Sequence, residues 1–262
     1  MANQLQSRSG VVSSDTILKG PMIEETYATL RCWNFDISKQ ENLSRIQSSN
    51  AIGARSTSWL EKVCKVFNRR FDPNGRDRAL TELAQGGLAY EVWKPLMLWH
   101  MTRDEFLVKD FLVNWLFPQF QAGALRIHAE EIYPYLQALH ERGIVEKPWS
   151  HSTLTRLASG LLKIAMEFGL MKGVAVREFT PYHLPEAAFV YLLHAIAEAQ
   201  PNARAMVDSP NWRIFLMSAD EVEREIFRLH QFHKLHYEVA GSLAQLTLPC
   251  ATARDYVKEM LA

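Results

Sequence analysis

The chain has 262 residues, of which 48% are hydrophobic and 22% are charged, and its 29 basic side chains balance its 29 acidic ones. This composition is typical of a soluble globular protein and excludes a disordered chain, a histone-like polycation and an acidic tail. If the protein binds a polyanion, the contact must therefore come from a local basic patch.

The cysteines and the apolar runs indicate a cytoplasmic protein that contacts no membrane. Cys32, Cys64 and Cys250 are dispersed and form no CxxC pair, which fits a reducing compartment rather than a disulfide framework. Residues 1–14 are polar and contain no apolar core of a signal peptide. The most apolar stretch, Ala187–Ala197, is too short to span a bilayer.

The first half of the chain predicts a flexible tail over residues 1–14 and an N-terminal helical domain over residues 15–122. Pro21 is a favourable first residue of a helix, and the turn cluster Asp72-Pro73-Asn74-Gly75 ends another. The predicted helices begin at Pro21, run from Ser56–Ser58 to Phe71, and cover Leu80–Leu83, Leu88–Met101 and Arg103–Leu116.

The second half predicts a C-terminal domain over residues 123–262. Its predicted helices are Ala129–Arg142 (kinked or started late by Pro134), Ser150–Phe168, Pro185–Ala199, Ala219–Gln231 and Ala253–Leu261. Short strands are predicted within Leu170–Phe179, and alternating runs around Gly241-Ser242 predict a hairpin. We expect a mainly α fold, a helical bundle whose C-terminal half resembles a winged helix-turn-helix with one or two small β-hairpins.

The helix that ends at Phe71 lies in a strongly basic segment. Between residues 45 and 80 the local net charge is +5. Lys62, Lys65 and Arg69 are three and four residues apart and therefore share one helix face, opposite an apolar face that includes Trp59 and Phe67. A cationic stripe on a packed helix suits the phosphates of a polyanion. The alternative is a solvated surface helix with no ligand.

The helix that begins after Ser150 is the second candidate contact. Ser150 is a favourable N-cap, and the face opposite its apolar stripe carries Ser152, Arg156, Ser159 and Lys163. Small hydroxyls between basic residues allow close approach to a DNA groove, and a hairpin with Lys172 and Arg177 follows. The alternative is an amphipathic helix without a ligand. The predicted DNA contacts are Arg55, Lys62, Lys65, Arg69, Arg70, Ser152, Arg156, Ser159, Lys163, Lys172 and Arg177.

No motif in the sequence predicts catalysis, a metal or a cofactor. GxSxG, P-loop, GxGxxG and HExxH motifs are absent from the sequence. His230, His233 and His236 lie close together, but no fourth ligand is spaced beside them, so we interpret them as a structural cluster. We therefore expect a protein that is not an enzyme and that binds neither metal nor cofactor.

Three motifs carry a resemblance to a known family. They are Asn50-Ala51-Ile52-Gly53-Ala54-Arg55-Ser56, then Trp149-Ser150-x-Ser152-Thr153-x-x-Arg156-Leu157-Ala158 with Phe168-Gly169-Leu170, and Ser209-Pro210-Asn211-Trp212-Arg213. Together they resemble the BrxA family of BREX phage-defence systems, over about Ile23 to Pro249. The resemblance implies a small, non-enzymatic, mainly helical cytosolic protein that binds DNA and is similar in part to the RNA-binding antitermination factor NusB.

These observations favour a DNA-binding accessory protein of a BREX system, which contacts duplex DNA mainly through phosphates and has a weak sequence preference. Two alternatives stay open. One is a scaffold that joins other BREX proteins through the mixed charges of its C-terminal half. The other is an RNA-binding protein, as the similarity to NusB implies.

Overall fold

The computed structural model describes residue 12, residues 14–241 and residues 243–262. The tail predicted over residues 1–14 lies outside the described residues except for positions 12 and 14, and so does Ser242 of the predicted turn. The described chain is mainly helical and carries two small antiparallel sheets. The mainly α prediction is therefore confirmed.

Helices make up the chain before residue 123. They are α1 (Ser14–Leu18), α2 (Ile23–Arg31), α3 (Lys39–Ser49), α4 (Thr57–Arg70), α5 (Arg78–Gln85), α6 (Tyr90–Thr102), α7 (Phe106–Asp110), a π-helical segment (Phe111–Leu116) and α8 (Phe117–Gln121). The basic helix α4 begins where the sequence predicts, because the Ser56 hydroxyl accepts a hydrogen bond from the Trp59 amide at 3.2 Å.

Two features of this half were not predicted. Helix α3 has a weak apolar stripe, with Leu43 and Ile46 buried, and is instead started by a capping box between Ser38 and Glu41. The predicted helix Arg103–Leu116 is divided, because its second part winds as a π-helix before α8 continues it.

The second half combines helices with short strands. The elements are β1 (Arg126–Ile127), a 3-10 turn (Ala129–Ile132), α9 (Tyr133–Glu141), α10 (His151–Glu167), β2 (Met171–Lys172), β3 (Arg177–Phe179), α11 (Glu186–Ala197), α12 (Ala203–Val207), a 3-10 segment (Pro210–Phe215), α13 (Ala219–Gln231), β4 (His236–Ala240), β5 (Leu243–Thr247) and α14 (Ala253–Leu261). The late start predicted from Pro134 is observed, since α9 begins one residue before it.

Strand β1 of the three-stranded sheet precedes helices α9 and α10 in the sequence, and strands β2 and β3 follow them. The sheet order is β1-β3-β2, with Arg126 and Lys172 both opposite Glu178 of the central strand. Strand β1 was not predicted, because two residues are too few to show alternation. The β2–β3 turn requires a glycine: Gly173 has φ +100°, and a Cβ there would lie 2.2 Å from the Val176 carbonyl oxygen. The second sheet is the predicted hairpin, β4–β5.

One buried apolar cluster includes side chains from both halves of the chain. Helix α11 is the central element of the second half, and it packs against α6 of the first half and against α14. The division into domains at residues 122 and 123 stays a prediction.

A buried chain of hydrogen bonds crosses this core. His100 Nδ1 lies 2.6 Å from Asp77 Oδ1, and His100 Nε2 lies 2.8 Å from the Tyr191 hydroxyl. Burial lowers the pKa of His100 despite the neighbouring carboxylate. Burial would raise the pKa of Asp77, but the hydrogen bond from His100 and the charge of Arg76 hold it below its ordinary value. A neutral His100 therefore donates to an ionised Asp77 and accepts from Tyr191.

This arrangement predicts a loss of stability on mild acidification. Because the pKa of His100 is lower in the folded chain than in the unfolded chain, the unfolded state binds more protons as the pH falls below about 6.5. The free energy of unfolding of the wild type should therefore fall between about pH 6.5 and 5. Urea denaturation across that range should show that the free energy of unfolding depends less steeply on pH in His100→Gln than in the wild type. An equal slope in both proteins would contradict this assignment.

Candidate nucleic-acid interface

Helix α10 displays the polar face that the sequence predicts. Ser152, Arg156, Ser159 and Lys163 are all exposed. The opposite stripe is buried, and the Ser150 hydroxyl accepts from the Thr153 amide at 3.3 Å to start the helix. The described helix carries no acidic residue before Glu167, which lies 3.4 Å from Lys163 Nζ. Most of this face therefore presents cations and hydroxyls only.

The hairpin after α10 displays one of its two predicted contacts. The Lys172 side chain is 66% exposed and lies 3.8 Å from Glu178, which also binds Arg126 at 3.2 Å. Arg177 is half-buried, and its Nε and Nη1 atoms are covered and have no hydrogen-bond partner. The prediction that Arg177 presents its charge at the surface is therefore not supported by its placement.

Helix α4 displays only part of its predicted cationic stripe. Lys62 and Lys65 are exposed, and Arg55 is exposed in the loop before the helix. Arg69 lies at the edge of the buried face, with its side chain 28% exposed and its Nε 3.8 Å from Glu105. The accessible cations of this region are thus Arg55, Lys62 and Lys65.

Arg70, which the sequence predicts as a DNA contact, lies in the core and not at the surface. Its side chain is 1% exposed and its Nε donates to Glu105 at 3.0 Å. The remaining donors bind the carbonyl oxygens of Thr16, Gly20 and Pro21 at 2.9–3.0 Å. Burial lowers the pKa of Arg70, and the Glu105 carboxylate opposes this effect. Arg70 therefore holds the chain segment around α1 against α4.

That segment connects the two candidate helices. Asp15 of α1 lies 3.8 Å from Lys65 of α4 and 3.9 Å from Lys19. On its other side α1 packs on α10 so closely that a Cβ at Gly160 would lie 3.2 Å from the Ile17 carbonyl oxygen. The accessible cations of α4 and the C-terminal end of the α10 face therefore flank one short helix.

Lys19 also belongs to this surface, although it was not among the predicted DNA contacts. Lys19 and Lys163 line the same surface cleft, together with the acidic Glu24 and Glu25. The Lys163 ammonium also lies beside Gly20, since a Cβ there would be 3.8 Å away from its Nζ. The spacing of Asp15 and Lys19 could have indicated its position, because oppositely charged residues four apart on a helix lie on the same face and can form an ion pair.

Two further cations of the basic segment point elsewhere. Arg76 forms an ion pair with Asp104, and Arg78 donates to Glu82 at 2.9 Å. Both line a cleft that also contains residues of α6, α11 and α14. The +5 local charge of the sequence is therefore distributed over the surfaces of α3 and α4, the core and this second cleft.

Among the described residues, no group of three or more histidine, cysteine, aspartate or glutamate side chains is arranged to hold a metal ion. Within the same residues, every helix is too short or too polar to cross a membrane.

Comparison with known proteins identifies one family. The family model named BrxA matches residues 14–195, which include α4, α10 and the three-stranded sheet. No curated protein matches the chain.

Proposed function

The chain belongs to the BrxA family, and we propose that it is a cytoplasmic, non-enzymatic protein of a BREX phage-defence system that binds double-stranded DNA. Membership of the family supports the assignment to BREX defence. The proposal that it binds DNA depends on the surface of α10 and its neighbours.

The order of elements from β1 to β3 supports a winged helix-turn-helix. Strand β1 is followed by α9, by α10 and by the β2–β3 hairpin, and the sheet order is β1-β3-β2. In such a unit α10 is the recognition helix, which enters the major groove, and the hairpin is the wing that lies along the backbone. Lys172 and the exposed Val174 are at the wing in this interpretation.

The observation that carries the proposal is the exposed face of α10. Arg156 and Lys163 are separated by Ser159, and Ser152 lies one turn before Arg156. A carboxylate within this stripe would repel phosphates, and the stripe has none before Glu167, which pairs with Lys163 at its C-terminal end. The amides at the N-terminus of α10 also favour an anion.

The cations of α4 extend the same contact through phosphates. Lys62 and Lys65 are exposed, and Lys65 lies beside α1, which packs on α10. The α10 face offers no asparagine or glutamine beside its arginine to read a base edge. Phosphate contacts carry no sequence information, so we propose a weak sequence preference.

A salt titration of the purified chain with a labelled DNA duplex tests this function. If Lys62, Lys65, Arg156, Lys163 and Lys172 each neutralise one phosphate, log affinity should fall against log salt with a slope of about −4 to −5. Fluorescence anisotropy at about 50 mM and about 200 mM salt measures that slope. No binding at the lower salt would overturn the proposal and favour the scaffold, whereas displacement of DNA by an equal amount of RNA duplex would favour RNA.

A further inference from the structure

A second cleft lies among α5, α6, α11 and α14. It has a volume of about 310 Å³, and Arg76, Arg78, Arg103 and Arg254 are among the residues that line it. Four of its other lining residues, Gly75, Ala79, Ala195 and Ala253, have small side chains or none. Of the described residues that line it, Glu198 alone is acidic.

Three carboxylates contact the arginines: Glu82, Asp104, and Asp77, which lies 3.8 Å from Arg76 and 4.0 Å from Arg103. Arg78 and Arg254 both donate to Glu82 Oε1 at 2.9 Å, although Arg254 and Glu82 are far apart in sequence. Arg76 forms its ion pair with Asp104. Each guanidinium carries five N–H donors and no acceptor, so these contacts leave many donors for a ligand. The side-chain conformations are fixed in advance, which lowers the entropic cost of binding.

The indole ring of Trp99 also lines the cleft. The Arg103 guanidinium carbon lies 4.9 Å from the centre of the Trp99 indole ring, and Trp99 packs edge-on against Tyr191. Trp99 is only 8% exposed, and its indole N–H has no hydrogen-bond partner in the structure. Arg76 Nε also has no hydrogen-bond partner, although Asp77 is 3.8 Å away.

We propose that this cleft binds the phosphate group of a small molecule. The lining provides arginines from three different segments, and planar guanidinium groups match phosphate oxygens in bidentate geometry. This site is separate from the DNA contacts proposed above and does not depend on them, because it uses none of the same side chains.

Isothermal titration calorimetry of the full chain with inorganic phosphate tests the site, with sodium chloride of matched ionic strength as the reference. We expect saturable binding that weakens about tenfold or more in Arg103→Gln and in Arg254→Gln, since each loses a charge-assisted hydrogen-bond donor. The control Arg224→Gln removes an exposed cation of α13 and should bind phosphate like the wild type.

A steric variant separates binding from the stability of the arginine network. Ala195 is half-buried and lines the cleft, so Ala195→Leu should block phosphate and leave every arginine in place. Adenosine monophosphate, titrated in parallel, distinguishes a nucleotide from free phosphate as the source of the group. Absence of phosphate binding, or equal binding by all variants, would overturn the proposal. Displacement of phosphate by a short DNA duplex would also overturn it, because the cleft would then belong to the DNA surface.

Discussion

Replacing Arg70 by methionine should destabilise the fold by about 3–5 kcal/mol, the largest effect that we expect from any single substitution. The change leaves the carboxylate of Glu105, which is also 1% exposed, without its partner at 3.0 Å. It also removes the donors to the Thr16, Gly20 and Pro21 carbonyl groups. Urea denaturation followed by circular dichroism measures the loss.

Two further variants test whether the loss of stability comes from the buried charge pair. Lys62→Met changes an exposed cation on the same helix and should alter the free energy of unfolding by less than about 0.5 kcal/mol. Adding Glu105→Met to Arg70→Met should restore part of the lost stability, because no buried charge is then unpaired. A loss below about 1 kcal/mol for Arg70→Met would show that Arg70 does not hold the α1 segment.

The double variant Arg156→Ala with Lys163→Ala should weaken DNA binding about tenfold or more at low salt. If each side chain contacts one phosphate, the slope of log affinity against log salt should flatten by about 2 units. Both residues are exposed and the apolar stripe of α10 is untouched, so stability should change by less than about 1 kcal/mol. Anisotropy titrations with two unrelated duplexes measure the loss, and it should be similar for both.

A second double variant, on α4, and a control double variant test which helices contact DNA. Lys62→Ala with Lys65→Ala should flatten the slope by a similar amount if α4 shares the duplex with α10. Arg69 is not included, because its side chain lies against the buried Glu105. Arg224→Ala with Lys258→Ala removes two exposed cations from α13 and α14 and should leave the slope unchanged. A parental slope in the α10 variant would exclude α10 from the interface.

The amino-acid sequence by itself determined most of the helices and the outward face of α10. Ser56 and Ser150 start α4 and α10 through local hydrogen bonds within three residues, and such contacts depend on little else. The stripe of Ser152, Arg156, Ser159 and Lys163 was predictable, because the helical period places it opposite a continuous apolar stripe. Strand β1 was not predictable, since two residues become a strand only by pairing with β3.

The tertiary structure alone decided where the basic side chains go. Arg69 and Arg70 are neighbours in sequence, but successive helix positions are rotated by about 100°, so one lies at the edge of the interface and the other is buried. The core tolerates the charge of Arg70 because Glu105, 35 residues later in the sequence, forms an ion pair with it. Arg78 and Arg254 both bind Glu82, and 172 residues separate Glu82 from Arg254. A local count of charges records how many cations a segment carries, whereas their positions depend on partners that only folding brings near.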